Sequence, residues 1–142
     1  MEILQLTKDN MNLIKDNYTN FSNDWNINIF SDEINSTNSK YYVFKEKDIV
    51  IGFAGFKQIL DSVEIMNIVI NRNFRNKGYG TIIFKELIKI IKNYNFKKAF
   101  LEVNENNLPA IKIYKQSGFN EISIRKNYYN NSENAIIMEY NF

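Results

Sequence analysis

Apolar and polar positions along the chain follow two different periods, which predict a mixture of strands and helices. Short runs rich in β-branched and aromatic residues, each ended by polar turn residues, predict strands. These predicted strands cover residues 3–6, 41–45, 49–58, 63–71, 99–103, 119–125 and 135–140. Because only tight turns separate the second, third and fourth strands, these three are expected to be antiparallel. Gly52 and Gly55 inside the third strand predict a bulge or a close approach of another backbone segment.

Helical spacing of apolar residues is clearest over residues 80–93, where Ile83, Leu87 and Ile91 recur on one face. Two further helices are predicted over residues 7–17, with Thr7 as the cap, and over residues 22–35, followed by a polar loop to residue 40. The predicted strand, helix and strand within residues 63–103 form a crossover whose two strands are parallel.

The last predicted helix is defined by its end residues. Asn107 is a favoured N-cap, and Pro109 is tolerated only in the first turn of a helix. Gly118 is a natural C-terminal stop, so the helix is expected to end near Gln116. With the strands above, this predicts a mixed α/β fold in a single domain over residues 1–142.

Composition narrows the chemistry available to this domain. The 142 residues are 44% hydrophobic, which is enough for one well-buried core. The net charge is only +2 and the basic residues are scattered, so no nucleic-acid partner is expected. The chain has no cysteine and no histidine, which removes the thiolate nucleophile and the commonest general base, and no metal site is expected. We expect neither a secretion signal nor a membrane span, and the cytoplasm is the expected compartment.

The junction between the strand 63–71 and the helix 80–93 is the strongest candidate for an anion site. A polar turn with Gly78 and Gly80 leads directly into the helix. The first NH groups of a helix have no intrahelical partner and attract anions together with the helix dipole. Glycines there let the backbone approach the anion closely. The turn lacks both the three glycines of the dinucleotide fingerprint and the Gly-Lys-Ser/Thr of a P-loop.

Several motifs of the second half occur together in one known superfamily. The turn Arg75-Asn76-Lys77-Gly78-Tyr79-Gly80 resembles the pyrophosphate loop of the GNAT superfamily, the acetyl-coenzyme A-dependent N-acetyltransferases. The further similar motifs are Leu101-Glu102-Val103, then Asn107, Ala110-Ile111, Tyr114 and Gly118-Phe119. The endings at residues 124–129 and 135–138 resemble the bacterial ribosomal-protein alanine N-acetyltransferases, which modify the free N-terminus of a small-subunit ribosomal protein.

This resemblance implies a fold and a cosubstrate. The implied fold is a mostly antiparallel sheet with a splayed central pair of parallel strands and about four helices. Acetyl-coenzyme A is the implied acetyl donor, and its pantetheine arm would pair with the strand that contains Ile68, Val69 and Ile70. Its phosphates would be bound by the loop and first helical turn, namely Asn76, Lys77, Gly78, Tyr79, Gly80 and Thr81, with charge added by Arg75. Asn107 resembles a further cofactor contact, with a plain helix cap as the alternative.

The resemblance also implies catalytic roles. Glu102 corresponds to the general base, and a strand near the thioester can keep a carboxylate partly desolvated. The alternative is a solvated glutamate paired with a lysine such as Lys98. Tyr114 corresponds to the general acid that protonates the departing thiolate, and its alternative is a packing role. Glu64 and Glu105 are reserve bases, in that order.

The acceptor implied by the resemblance is a protein N-terminus, most similar to that of a ribosomal protein. Tyr128 and Tyr129 are candidates for the acceptor groove, and Arg125 for steering an acidic or carbonyl-rich peptide. Two alternatives remain: acetylation of lysine side chains or of small amines such as polyamines or drugs, and a non-catalytic acyl-coenzyme A-binding module. Asn104 stands where family members often carry Arg, and the segment 18–40 is unusually rich in Asn, which leaves the peptide specificity open. The sequence does not predict the oligomeric state.

Overall fold

The computed structural model describes residues 1–17, 20–21, 32–129 and 132–142, apart from the side chain of Asn67. Within these residues lie seven strands, which form one sheet in the order β1-β2-β3-β4-β5-β7-β6. The strands are β1 Glu2–Gln5, β2 Ser39–Glu46, β3 Ile49–Ile59, β4 Ser62–Ile70, β5 Lys98–Asn104, β6 Asn120–Arg125 and β7 Ala135–Asn141. All seven predicted strands are therefore confirmed, each with its ends shifted by two residues at most.

The described helices agree with the predictions in the second half of the chain and differ in the first. They are α1 Asn12–Lys15, α2 Tyr79–Lys92 and α3 Leu108–Gln116, with 3₁₀ helices at Lys8–Asn10 and Arg72–Phe74. The predicted helices 80–93 and 107–116 are confirmed as α2 and α3. Of the predicted helix 22–35, residues 32–34 are helical and residues 22–31 lie outside the described part of the chain.

The prediction of one continuous helix over residues 7–17 is wrong, because local side-chain bonds interrupt it. Thr7 does act as a cap, since its hydroxyl accepts a hydrogen bond from the NH of Asp9 at 3.2 Å. The Asn10 side chain accepts a bond from the NH of Thr7 at 2.7 Å and donates one to the carbonyl of Gln5 at 2.9 Å. Such bonds compete with helical ones, so a 3₁₀ turn and the short α1 replace the helix.

Strand directions follow the prediction. β1, β2 and β3 pair antiparallel, and the two-residue connection from β3 to β4 requires an antiparallel neighbour. β4 and β5 are parallel over three pairs, from Ser62 with Lys98 to Glu64 with Phe100. β5 pairs antiparallel with β7, and β7 with β6. The mixed α/β fold with one parallel strand pair is thus confirmed.

The chain divides into two compact units, Met1–Lys57 with Met66–Ile88, and Gln58–Ile65 with Lys89–Phe142. In the first unit, a buried cluster of apolar residues packs β2 and β3 against α1 and the segments that follow β1 and α1; its members are Leu6, Met11, Ile14, Phe21, Tyr41, Val43, Val50 and Phe53. The rings of Phe21 and Phe53 meet edge to face, with centroids 5.1 Å apart. Met66 and Val69 of β4 pack against this cluster, which therefore supports the strand that precedes the glycine loop, residues 75–80.

The two glycines of β3 make close contacts, as their position inside a strand predicted. A Cβ at Gly52 would overlap the carbonyl oxygen of Val69 and lie 3.0 Å from Cδ1 of Ile83. A Cβ at Gly55 would overlap the ring of Tyr41, its partner on β2. Gly52 thus lets the backbone of β3 approach β4 near the end of that strand.

In the second unit, β5 separates a buried face from a partly exposed one. Ala99, Leu101 and Val103 are buried, whereas Phe100, Glu102 and Asn104 alternate with them and remain partly exposed. This period of two is the pattern of a strand with one face against a core. Glu102 therefore projects from the more exposed face of β5.

Candidate active site

The loop that follows β4 is fixed by the buried side chain of Asn71, which is 2% exposed. Its Nδ2 donates to the carbonyl of Val50 at 3.0 Å, and its Oδ1 accepts from the NH of Asn73 at 3.0 Å. The second bond caps the 3₁₀ helix Arg72–Phe74. Asn71 thereby fixes the direction in which the chain leaves β4, a role that the sequence analysis missed. A polar residue that ends an apolar strand was the available signal.

Arg75 binds main-chain carbonyl groups in this structure. Its Nε donates to the carbonyl of Ile70 at 3.1 Å, and its Nη2 donates to that of Phe21 at 2.6 Å. These bonds tie the loop back to the strand that precedes it and to residue 21. The guanidinium thus has a structural task, in addition to the charge for which it was singled out in the sequence.

The glycine loop leaves an open backbone surface at the start of α2. Asn76 and Gly78 have φ angles of +61° and +85°, the region that favours glycine and tolerates asparagine. A Cβ built on Gly78 would meet no atom within 4 Å. The carbonyl of Gly78 accepts the first helical bond, from the NH of Ile82 at 3.3 Å. Residues 79–81 form the first turn of α2, where a helix leaves its NH groups without intrahelical partners. These NH groups lie next to the open surface at Gly78.

Side chains beside this surface are aromatic and cationic. The ring of Phe74 meets that of Tyr79 edge to face at 5.6 Å, and Nζ of Lys77 lies 5.7 Å from the centroid of Phe74. Helix dipole, open main chain and lysine together suit a phosphate group. The diphosphate of acetyl-coenzyme A is thus compatible with the residues present. Ile68, Val69 and Ile70 are partly exposed on β4 just before this loop.

In the second unit, Glu102 forms an ion pair with Arg125 at the end of β6. Nη1 of Arg125 lies 3.1 Å from Oε1 of Glu102, and the two side chains are 52% and 25% exposed. The predicted alternative, a pairing with Lys98, is not what the structure has, because Lys98 pairs with Glu139 at 3.4 Å. Sequence reasoning missed the pair with Arg125 because it depends on the register of β5, β7 and β6.

Arg125 also contacts the predicted acceptor-side aromatics. Its guanidinium carbon lies 4.9 Å from the ring centroid of Tyr128, whose ring meets that of Tyr129 edge to face at 5.1 Å. Burial raises the pKa of Tyr129, and the negative charges of Glu102 and Glu133 and the neighbouring Tyr128 act in the same direction. The two tyrosines and Arg125 are thus grouped around the carboxylate of Glu102.

A cavity of about 390 Å³ opens beside Glu102. Its walls are mostly apolar, with carboxylates from β4, β5 and the turn before β4; the lining residues are Ile59, Leu60, Asp61, Ser62, Val63, Glu64, Phe100, Leu101, Glu102 and Ile137. Glu64, the first reserve base, thus shares a cavity with Glu102.

Glu105, the second reserve base, is engaged by the connection between β6 and β7. Its carboxylate accepts bonds from the NH and from Nδ2 of Asn134, at 3.3 and 3.2 Å. Asn104, at the position where Arg was expected, donates to the carboxylate of Glu133. Both residues therefore attach this connection to the end of β5.

Tyr114 and Asn107 lie on and before α3. Burial raises the pKa of the Tyr114 phenol, so the phenol stays protonated and can act as a donor at neutral pH. Its ring lies 6.4 Å from that of Phe119, which agrees with a packing role as well. Oδ1 of Asn107 accepts from the NH of Ala110 at 3.3 Å, so Asn107 is the N-cap of α3 as predicted. The structure thus groups Glu102, Arg125, Tyr128 and Tyr129 in one unit and the glycine loop in the other.

Comparison with known proteins identifies the class that this fold and these residues define. The family model described as the acetyltransferase (GNAT) family matches residues 8–119. The chain therefore belongs to the GNAT acetyltransferase family, and it is an acetyl-coenzyme A-dependent N-acetyltransferase.

Individual relatives and solved structures are similar to this chain over most of its length. The ribosomal protein bS18-alanine N-acetyltransferase of Haemophilus ducreyi is 35% identical over 111 residues, 74% of this chain and 77% of the relative. The crystal structure of the ribosomal-protein-S18-alanine N-acetyltransferase of Escherichia coli superposes with a TM-score of 0.86 and 24% identity, over 99% of this chain and 92% of that one. A GNAT acetyltransferase of Elizabethkingia anophelis, solved with acetyl-CoA bound, has a TM-score of 0.76 and 21% identity, over 99% and 97% of the two chains.

No group of three or more Asp or Glu side chains in the described part of the chain is arranged to hold a metal ion. None of the helices described above is long and apolar enough to cross a membrane.

Proposed function

We propose that this enzyme transfers the acetyl group of acetyl-coenzyme A to the free α-amino group of a ribosomal protein. The observation that carries the proposal is the 35% identity to an enzyme named for acetylating the alanine terminus of bS18. Both units would belong to one N-acetyltransferase domain over residues 1–142. Because ribosomal proteins are made and assembled in the cytoplasm, we place the reaction there.

In this proposal the first unit binds the donor. The NH groups and side chains of Asn76, Lys77, Gly78, Tyr79, Gly80 and Thr81 hold the diphosphate, and the open surface at Gly78 supports this assignment. The main chain at Ile68, Val69 and Ile70 binds the pantetheine arm and supplies the NH groups that stabilise the tetrahedral oxyanion.

The second unit supplies the acid and the base. The neutral acceptor amine attacks the thioester carbon, and Glu102 accepts the proton that its nitrogen loses as the amide forms. The C–N bond forms, the C–S bond breaks, and Tyr114 gives its proton to the departing thiolate. An α-amino group, with a pKa of about 7.7–8.0, loses its proton far more easily than a lysine with a pKa of about 10.4, so a carboxylate base is sufficient. Because the chain has no cysteine, we propose direct transfer.

Mass spectrometry of a peptide with the N-terminal sequence of bS18 tests the proposal. After incubation with enzyme and acetyl-coenzyme A, we expect one added acetyl group on the α-nitrogen. A matched peptide with a blocked terminus and a free internal lysine should remain unmodified. Acetylation of the lysine, or of a polyamine in place of the peptide, would assign the enzyme to a different acceptor class.

A further inference from the structure

The ion pair between Glu102 and Arg125 bears directly on how the acceptor amine is bound. An amine attacks a thioester only in its neutral form, whereas a lone carboxylate favours the ammonium form. A glutamate that serves as the base therefore opposes the reaction unless its charge is balanced. Arg125, 3.1 Å from the carboxylate, supplies the balancing charge.

We propose that Arg125 is a positioning residue that neutralises Glu102, so that the acceptor is held as a free amine beside the thioester. This inference rests on the proposed function, since it requires Glu102 to be the base. It assigns to Arg125 a part in the reaction other than contact with an acidic peptide.

The surroundings of Glu102 make this balance necessary. The charged and titratable groups near it come from the turn before β4, from β4, from the end of β6 and from the residues after it; they are Asp61, Glu64, Arg125, Tyr129 and Glu133. On β7 the residue opposite Glu102 is the apolar Ile137. Asp61 is paired with Lys97 at 3.4 Å. Within this set Arg125 is the cation in contact with Glu102.

The position of Arg125 is itself supported from a second side. Its guanidinium lies over the ring of Tyr128 at 4.9 Å, a cation–π contact. The connection that carries Tyr128 is attached to β5 through Asn134 and Glu105. A planar guanidinium is suited to such a stacked and ion-paired position, while a lysine keeps the charge without the stacking.

The test compares Arg125→Met, which removes the charge, with Arg125→Lys, which keeps it. At neutral pH we expect kcat of Arg125→Met on an N-terminal peptide to fall about tenfold, with the KM for the peptide unchanged or lower. The acid limb of its kcat profile should move to higher pH by about one unit, so that activity returns in alkaline buffer. Arg125→Lys should restore most of the neutral activity.

Two controls separate this role from a structural one. Lys126→Met removes one positive charge from the exposed adjacent position and should leave kcat and its pH profile unchanged. In a Glu102→Gln background, Arg125→Met should cause no further loss, because the two residues act together. If Arg125→Met is poorly folded, Tyr128→Leu removes the ring under the guanidinium and should shift the profile in the same direction by less.

Three results would overturn the inference. They are a loss of kcat that is equal at every pH, a loss of the same size in the Glu102→Gln background, and a faster Arg125→Met enzyme. If the wild-type enzyme acetylates the N-terminal peptide and any of these results is found, only the role of Arg125 is refuted. A wild-type enzyme that acetylates no N-terminal peptide refutes the proposed function instead.

Discussion

The glycine loop and the exposed face of β5 differ in the part of the protein that each presents, main chain at the loop and side chains on β5. At the loop the proposed donor site consists of main chain: Gly78 is open, and the side chains of Asn71 and Arg75 bind carbonyl groups of the protein. On β5 and β6 the proposed catalytic site consists of side chains, with Glu102 in contact with Arg125. Substitutions should therefore act through backbone shape in the first region and through charge in the second.

The largest effect is expected from Glu102→Gln, which removes the proposed base and keeps the shape of its side chain. We expect kcat to fall by about 10²-fold or more, the usual contribution of a general base, with the Kd of acetyl-coenzyme A unchanged. Steady-state kinetics and calorimetric titration measure the two quantities. Glu121→Gln, at an exposed position of β6, is the matched control and should behave as wild type. Wild-type turnover in Glu102→Gln would transfer the role of base to Glu64.

A substitution on β3 beside Val69 of β4, the strand proposed to bind the donor, should act through backbone shape alone. In Gly52→Ala the new Cβ overlaps the carbonyl of Val69, and we expect a loss of about 2 kcal/mol in the free energy of unfolding. Urea titration measures this loss. The folded variant should also bind acetyl-coenzyme A more weakly.

The control for this variant is Gly55→Ala, which overlaps the ring of Tyr41 instead. It should destabilise the fold without lowering the affinity of the folded protein for the donor. Equal affinities in the two variants would argue against a donor site on the strand at Val69.

Gly78→Val tests the loop directly. The substitution meets no neighbouring atom, so its effect comes from forcing a β-branched residue into a φ of +85° and from covering the open surface. We expect about a tenfold weaker Kd for acetyl-coenzyme A, measured by titration. The control is Lys47→Val. Lys47 has a φ of +54° in the turn between β2 and β3, so valine causes similar strain there, and we expect the affinity for acetyl-coenzyme A to remain that of the wild type.

The smallest effect is expected at Tyr114. A coenzyme A thiolate is a fair leaving group without protonation, so Tyr114→Phe should lower kcat by about tenfold or less. Burial raises the pKa of this phenol above its ordinary value of 10.0, so the folded state keeps its proton where the unfolded state loses it. Stability then falls as pH rises above the unfolded value. The Phe variant should lose less stability in alkaline urea titrations, and an unchanged alkaline loss would contradict this cause.

Sequence patterns predicted the strands and the glycine loop well because these depend on local periods and on backbone freedom. The alternation on β5, the cap at Asn107 and the stop at Gly118 can each be recognised from a few neighbouring residues. The continuous helix over residues 7–17 was wrong because Asn10 forms bonds with both Gln5 and Thr7, which a period of apolar residues does not register.

Contacts between distant segments were beyond the reach of sequence patterns. The pair of Glu102 with Arg125, and that of Glu105 with Asn134, depend on how β5, β7 and β6 align. A bulge between Glu121 and Ser123 shifts the register of β6 by one residue, so counting along the chain does not give the partner of Arg125. Family resemblance supplied a role for Glu102, but it did not supply the charge beside it.

The bonds from Asn104 and Glu105 to Glu133 and Asn134 fasten one flank of the β6–β7 connection, while Arg125 and Tyr128 fasten the other. In our proposal, substitutions between these two anchor points change which N-termini are accepted and leave Glu102 on β5 in place.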